Sequence, residues 1–366
     1  MNRDGMSTRA VSRTSRALSV VAAAVPGYLL VCTFWSPAIP ASASLALCAL
    51  AVGAAWKPEG TLLLLAAALP VVSYATRALP APGFLWPVAL MASYACGYFV
   101  QLALRGRTGS ADPTLRRAVL TLTALICAAV IVELPAVEVR LGAPAFRAEL
   151  LHMFGPGFFI ARSTTPGIAA GVLLLEGLLM LWVSAALARA SEPFRRAMPR
   201  AIVLGATLAA VANVGRLADV AGRRAAPLVA FFSLVAAQRV NVHYLDLNAA
   251  GSFFVLALCV SIVLARRRAG WWVTSGLLAL ALWMSGSRAA LLAGVGAAAV
   301  PFLRPVLARF RARAWVGVAA IGVAVLVAIL AGAWLLPERG NQKSAATAIE
   351  VRVELARTSL DRKSVV

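Results

Sequence analysis

Long apolar runs separated by short polar, arginine-bearing breaks dominate the pattern along the chain. Eleven such runs stand out, at roughly 17–35, 39–56, 60–76, 82–104, 117–135, 167–188, 200–216, 248–265, 270–286, 289–303 and 314–336. A helix that crosses a bilayer needs about 20 mostly apolar residues. Several runs are shorter, so their helices must extend into the flanking polar positions. The pattern predicts an all-α fold, a polytopic transmembrane helix bundle of about 11 spans. The first run follows a basic stretch but lacks a small-residue cleavage site, so it reads as a retained helix. Residues 226–238 (APLVAFFSLVAAQ) are apolar but too short to span, and they read as an interfacial or re-entrant piece.

Composition removes the soluble alternatives. Of the 366 residues 61% are hydrophobic and 13% charged, against about 45–50% and about 25% in soluble domains. The net charge of +21 would suggest a nucleic-acid partner in a soluble chain. Counting by loop gives another explanation. With the N-terminus inside, twenty of the 35 Lys and Arg residues fall in the N-terminal tail and the inner loops, nine fall in outer loops and six follow Pro337. The inner loops are short and dense in Arg, the pattern that sets topology. The N-terminus is therefore expected in the cytoplasm. The long connections 136–166 and 217–247, with the tail from 337, are expected outside. Cys32, Cys48, Cys96, Cys127 and Cys259 lie in apolar runs without metal-ligand spacing. His152 and His243 are the two histidines of the chain, which argues against a multi-His metal site.

Four places carry candidate chemistry. The first is Arg239-Val-Asn-Val-His243-Tyr-Leu-Asp246-Leu-Asn248, before the eighth run. Asn248 suits a helix N-cap and Asp246 the positive helix end. His243 suits a base near neutral pH, although one interfacial His is more often a satisfied polar residue. The second is Ser285-Gly286-Ser287-Arg288, where an Arg stands between two apolar runs with no loop of useful length. Its guanidinium offers forked donors to phosphate oxygens. The bland alternative is an Arg snorkelling at a helix end. Arg216, after Asn213 at the end of the seventh run, has the same two readings. The third is Glu176, alone in GVLLLEGLLML, where an ionisable group is costly and is either paired or functional. The fourth is the stretch Glu350–Leu360, a weakly amphipathic helix in which Arg352 is either a solvated residue or a second phosphate contact. No nucleotide-binding, zincin or serine-hydrolase motif occurs.

The order of these features resembles the O-antigen ligase and O-antigen polymerase superfamily of bacterial inner-membrane glycan transferases. The resemblance rests on Asp246-x-Asn248-Ala-Ala-Gly-Ser, on Ser285-Gly286-Ser287-Arg288 about 40 residues later, and on an Arg352 to Leu360 stretch after a further span. It covers about 200–360; the first 190 residues match in hydropathy alone. It implies a donor glycan on undecaprenyl pyrophosphate, transfer at the periplasmic face of the inner membrane, and no cofactor or metal. The implied acceptor is lipid A-core for a ligase, another repeat unit for a polymerase, or a protein side chain. Arg288 and Arg352 match the family arginines that face the donor pyrophosphate. Arg239, Asp246, Asn248, Ser287 and Arg216 are expected to line the substrate site, with His243 as a further catalytic candidate. The family's later periplasmic His and its closing span are missing.

The implied organisation is a basic cytoplasmic tail (1–16), an N-terminal bundle of about seven spans (17–216), a ligase-like core (217–336), and the start of a large periplasmic loop (337–360). Residues 361–366 (Asp-Arg-Lys-Ser-Val-Val) read as a non-native tail on a gene fragment, which would leave the chain as given inactive. The alternative from another class is a transporter or flippase of an anionic lipid-linked substrate, with Glu176 and Arg216 near its path. The lack of a visible internal repeat weighs against it.

Overall fold

The computed structural model describes residues 4–36, 39–75, 84–105, 113–155, 157–160, 166–237, 247–287 and 289–296. Regular structure among them is helical, apart from an isolated antiparallel bridge between Phe84 and Ile160. The helices are α1 (Asp4–Phe34), α2 (Ala41–Trp56), α3 (Pro58–Ala75), α4 (Trp86–Arg105), α5 (Pro113–Leu141), α6 (Ala143–Met153), α7 (Pro166–Ala190), α8 (Glu192–Gly222), α9 (Pro227–Ala237), α10 (Leu247–Ala265) and α11 (Trp271–Ser285). Four of them, α3, α5, α7 and α9, open on proline, whose fixed φ suits a first turn that needs no N–H partner. Ser191 opens α8, its hydroxyl accepting from the Phe194 N–H at 3.3 Å.

Five helices are long and apolar enough to cross a membrane: the 17–34 part of α1, α4, α5, the 170–190 part of α7, and α8. Shorter apolar helices occur at Ala41–Trp56, Pro58–Val72, Ala249–Ala265 and Trp271–Ser285. Large apolar side chains such as Leu125, Val132, Leu204 and Val211 face outward and are exposed. So much outward apolar surface suits hydrocarbon and not water. The chain is a multi-helix membrane protein. The run at 289–303 is described only as far as residue 296 and the run at 314–336 lies outside the described residues, as does part of the expected count of about 11 spans.

The chain divides into two compact units, 1–285 and 286–366. In the first, α4 packs against α1, α2, α3 and α7, and α8 packs against α3, α7, α9, α10 and α11. Glycines allow the closest approaches. A Cβ at Gly97 of α4 would collide with the Ala51 carbonyl of α2, and one at Gly205 of α8 would lie 2.7 Å from the Ala66 carbonyl oxygen of α3. Gly171 of α7 likewise receives the Val130 side chain of α5. Small residues at crossings are the usual means by which membrane helices gain contact area.

Two apolar layers mark the two ends of this bundle. One joins Leu29, Leu30, Ile39, Leu47, Trp86 and Phe159, and the backbone N–H of Leu85 donates to Phe159 there. The other joins Ala54, Leu62, Tyr94, Val183, Leu187 and Phe194. In that second layer the Tyr94 hydroxyl donates to the Pro58 carbonyl at 3.2 Å, and the Ser191 hydroxyl donates to the Glu59 carboxylate at 2.9 Å. The turn at Lys57 and the turn at Ser191 therefore share one end, while the start of α4 and residues 157–160 share the other. The alternation expected from the loop count holds in this part of the chain.

Three expectations change. The connection 136–166 contains structure: α5 runs on to Leu141, Gly142 turns the chain at φ +79°, and α6 follows. Arg216 does not end a helix, because α8 continues six residues beyond it to Gly222. Asn248 is not the cap of its helix, because α10 begins one residue earlier, at Leu247. In both cases apolar flanks carry the helix past the polar residue.

Candidate functional site

The 226–238 run forms α9, a helix of 11 residues. At 1.5 Å per residue it is about 16 Å long, half of what a crossing requires. It rests on α8 through Ala230, while Leu228, Val229 and Phe232 are exposed. Its far end is fixed by Trp283 of α11, whose indole N–H donates to the Val235 carbonyl at 3.2 Å. The Arg223 guanidinium holds the Asp219 carboxylate at 3.1 Å in the last turn of α8, just before the chain bends into α9. The end of α8, all of α9 and the end of α11 thus form one assembled corner.

At that corner α11 stops. Its last residue, Ser285, is buried and its hydroxyl donates to the Leu282 carbonyl at 2.7 Å. Gly286 then adopts φ +64°, a conformation that glycine enters without steric cost. Ser287 follows as a cap: its hydroxyl accepts from the Ala290 N–H at 3.4 Å, and its carbonyl accepts from the Leu291 N–H at 2.9 Å. A helical stretch over 289–296 begins there. The break expected from sequence at Ser-Gly-Ser-Arg is therefore a true helix stop and restart.

The expected site residues divide as follows. Arg216 is exposed on α8, Asn248 stands in the first turn of α10, and Ser287 is buried and serves as the cap just described. Arg239, His243, Asp246, Arg288 and Arg352 lie outside the described residues. Trp283, which braces the corner, was missed by sequence reading. The signal for Trp283 was available, since an indole near a helix end commonly seeks a carbonyl.

Glu176 lies on α7 ten residues from its start and fourteen from its end. It shares a helical stripe with Met180, Val183 and Leu187, which pack into the core. Its Oε2 is buried and has no hydrogen-bond partner, a state that costs about 1–3 kcal/mol. It does not pair with Arg216. Counted from the α7–α8 turn, the two sit ten residues apart in depth, or about 15 Å. Glu133 of α5 is placed differently, with its carboxylate against Gly167 and 4.0 Å from the Arg140 guanidinium. Among the described residues no group of three His, Cys, Asp or Glu side chains is placed to hold a metal.

Compared with known proteins, the chain matches no family model, no curated protein and no solved structure.

Proposed function

We propose that the chain is a membrane glycosyltransferase, or the transferase part of one. It moves a glycan from undecaprenyl pyrophosphate to an acceptor at the periplasmic face of the bacterial inner membrane. The acceptor proposed is lipid A-core, which makes the protein an O-antigen ligase.

The observation that carries this reading is the helix stop at Ser285-Gly286-Ser287. Gly286 turns at φ +64° and Ser287 caps the helical stretch that follows, and in sequence Arg288 comes directly after that cap. Breaking a sugar–phosphate bond loads negative charge on the leaving pyrophosphate. Arg288 is proposed to supply a guanidinium for that charge. Arg352 is proposed as the second guanidinium. Arg239, His243, Asp246, Asn248 and Arg216 are proposed to line the approach. The sidedness follows the loop count: the end holding Lys57, Arg189 and Arg195 is assigned to the cytoplasm, and the opposite end, which by alternation includes the end of α11, to the periplasm.

Complementation of a ligase-null strain with the native gene tests the proposal. The Arg288→Ala form should insert normally and lose ladder-type lipopolysaccharide by about 100-fold or more, as removal of a charge-stabilising donor does. An unchanged ladder with correct insertion would overturn the site assignment.

A further inference from the structure

Between α10 and α11 lies a turn with the sequence Ala265-Arg266-Arg267-Arg268-Ala269-Gly270-Trp271-Trp272. Its backbone is closed by its own hydrogen bonds. The N–H groups of Arg267 and Arg268 both donate to the Leu264 carbonyl, at 3.0 and 3.2 Å. The N–H of Trp271 donates to Arg268 at 3.2 Å and that of Trp272 to Ala269 at 3.0 Å. Just inside the turn the two helices are joined by the buried Ser261–Ser275 hydroxyl pair at 2.8 Å. The arginine side chains therefore project from a fixed frame.

All three arginines are exposed. None forms an ion pair among the described residues, and no Asp or Glu occurs anywhere from Leu247 to Ser285. The arginine-rich turn between α7 and α8 differs. There Glu192 pairs with both Arg195 and Arg196, and Glu59 takes the Ser191 hydroxyl. One cation would suffice to complement the negative end of α10, and three consecutive ones exceed that need.

The surface below the arginines is apolar and faces outward. Val263 on α10 and Val273 on α11 are exposed at 56% and 72%, and Trp272 at 48%. Outward valines on both helices place hydrocarbon directly beneath the turn. The paired tryptophans then sit where indoles concentrate, at headgroup depth. A bilayer that covers this apolar surface would bring lipid phosphates to the guanidinium groups, and among the described residues no carboxylate pairs with them.

We propose that the α10–α11 turn binds the phosphate headgroup of an anionic phospholipid. The positive charges of Arg266, Arg267 and Arg268 hold the phosphate oxygens, and Trp272 flanks the glycerol region. The site is independent of glycan transfer. A basic residue near an anionic membrane surface contributes about 1 kcal/mol, or roughly fivefold in lipid preference.

The test uses the full chain in nanodiscs of mixed phosphatidylglycerol and phosphatidylcholine, with retained lipid measured by native mass spectrometry after release. The parent protein should retain phosphatidylglycerol in excess over its share of the mixture. Arg267→Gln should lower that excess roughly fivefold, and R266Q/R267Q/R268Q should abolish it. R266K/R267K/R268K keeps the charge and should keep the excess. Arg195→Gln with Arg196→Gln, at the turn that carries its own carboxylate, should leave it unchanged. Equal retention by the parent and the triple Gln form would overturn the proposal. So would equal loss from the triple Gln and triple Lys forms, which would show that packing of the turn and not its charge holds the lipid.

Discussion

Helices α4 and α5 are both long enough to cross a membrane, and they sit in opposite surroundings. Of the five long helices, α5 is the most apolar and the least buried, while α4 is the least apolar and the most buried. In water the order would be reversed. In a bilayer the outermost helix meets hydrocarbon on most sides and gains from being apolar throughout. The central helix meets other helices, where hydrogen bonds and small residues count for more than apolarity. The polar content of α4 is used in that way. Ser93 donates to the Ala89 carbonyl at 2.7 Å, Tyr94 reaches Pro58, Cys96 approaches the Ala23 carbonyl at 3.7 Å, and Gly97 admits α2. Helix α5 packs against α7 and α6 alone among the described elements with substantial contact, and Leu120, Leu122, Leu125 and Val132 are exposed along it.

The largest test of this contrast places a charge on each helix in turn. Leu125→Arg sits near the middle of α5 on its exposed side and should cost about 3 kcal/mol of membrane insertion. A glycosylation-reporter insertion assay would read this as a shift toward the uninserted form. Unimpaired insertion would mean that this face of α5 meets water or a polar partner and not lipid.

Next in size is a packing change at the central helix. Gly97→Leu forces a side chain into the Ala51 and Ala54 backbone and Cβ positions of α2, with backbone as the obstacle. A cost of about 2–3 kcal/mol is expected, read as a lowered midpoint of thermal aggregation in detergent. Ala129→Leu, on an exposed position of α5, should move that midpoint little. If both substitutions had equal effects, the distinction between a packed α4 and a lipid-facing α5 would fail.

The same contrast explains what the sequence revealed. The first nine apolar runs correspond to helices because run length and backbone hydrogen bonding decide spans almost alone. Their partners were not legible. Nothing in the runs 82–104 and 117–135 ranks one as central and the other as peripheral until Gly97 is seen against Ala51. Helix ends were misread where apolar or neutral residues continue past a polar one, as at Arg216. The bend at Gly142 was invisible because the segment around it is polar enough to read as a loop. For the candidate site, the Ser-Gly-Ser-Arg break was legible, since a glycine and two serines between apolar runs have few other uses. The brace from Trp283 to Val235 was not, because it joins positions 48 residues apart.

The smallest effect concerns the end where α4 meets the turn between α7 and α8. Ser191 does two things there: its oxygen caps α8 by accepting from Phe194, and its hydrogen goes to Glu59 at the start of α3. Ser191→Ala removes both. The cap alone should cost about 1 kcal/mol; the half-exposed bond to Glu59 should add less, because water replaces it. Ser191→Asp keeps a capping oxygen but sets a second carboxylate beside Glu59. If capping dominates, the Asp form should recover most of the stability lost in the Ala form. If the link to α3 dominates, it should recover none, since two carboxylates repel where a hydroxyl donated. Thermal aggregation of the three proteins in one detergent separates the outcomes. Recovery by Asp would make this end of the bundle a set of independently capped helices. Failure of Asp would make the Glu59–Ser191 contact the tie that aligns α3 with α8, and with it the Gly205 crossing on which the second half of the bundle is built.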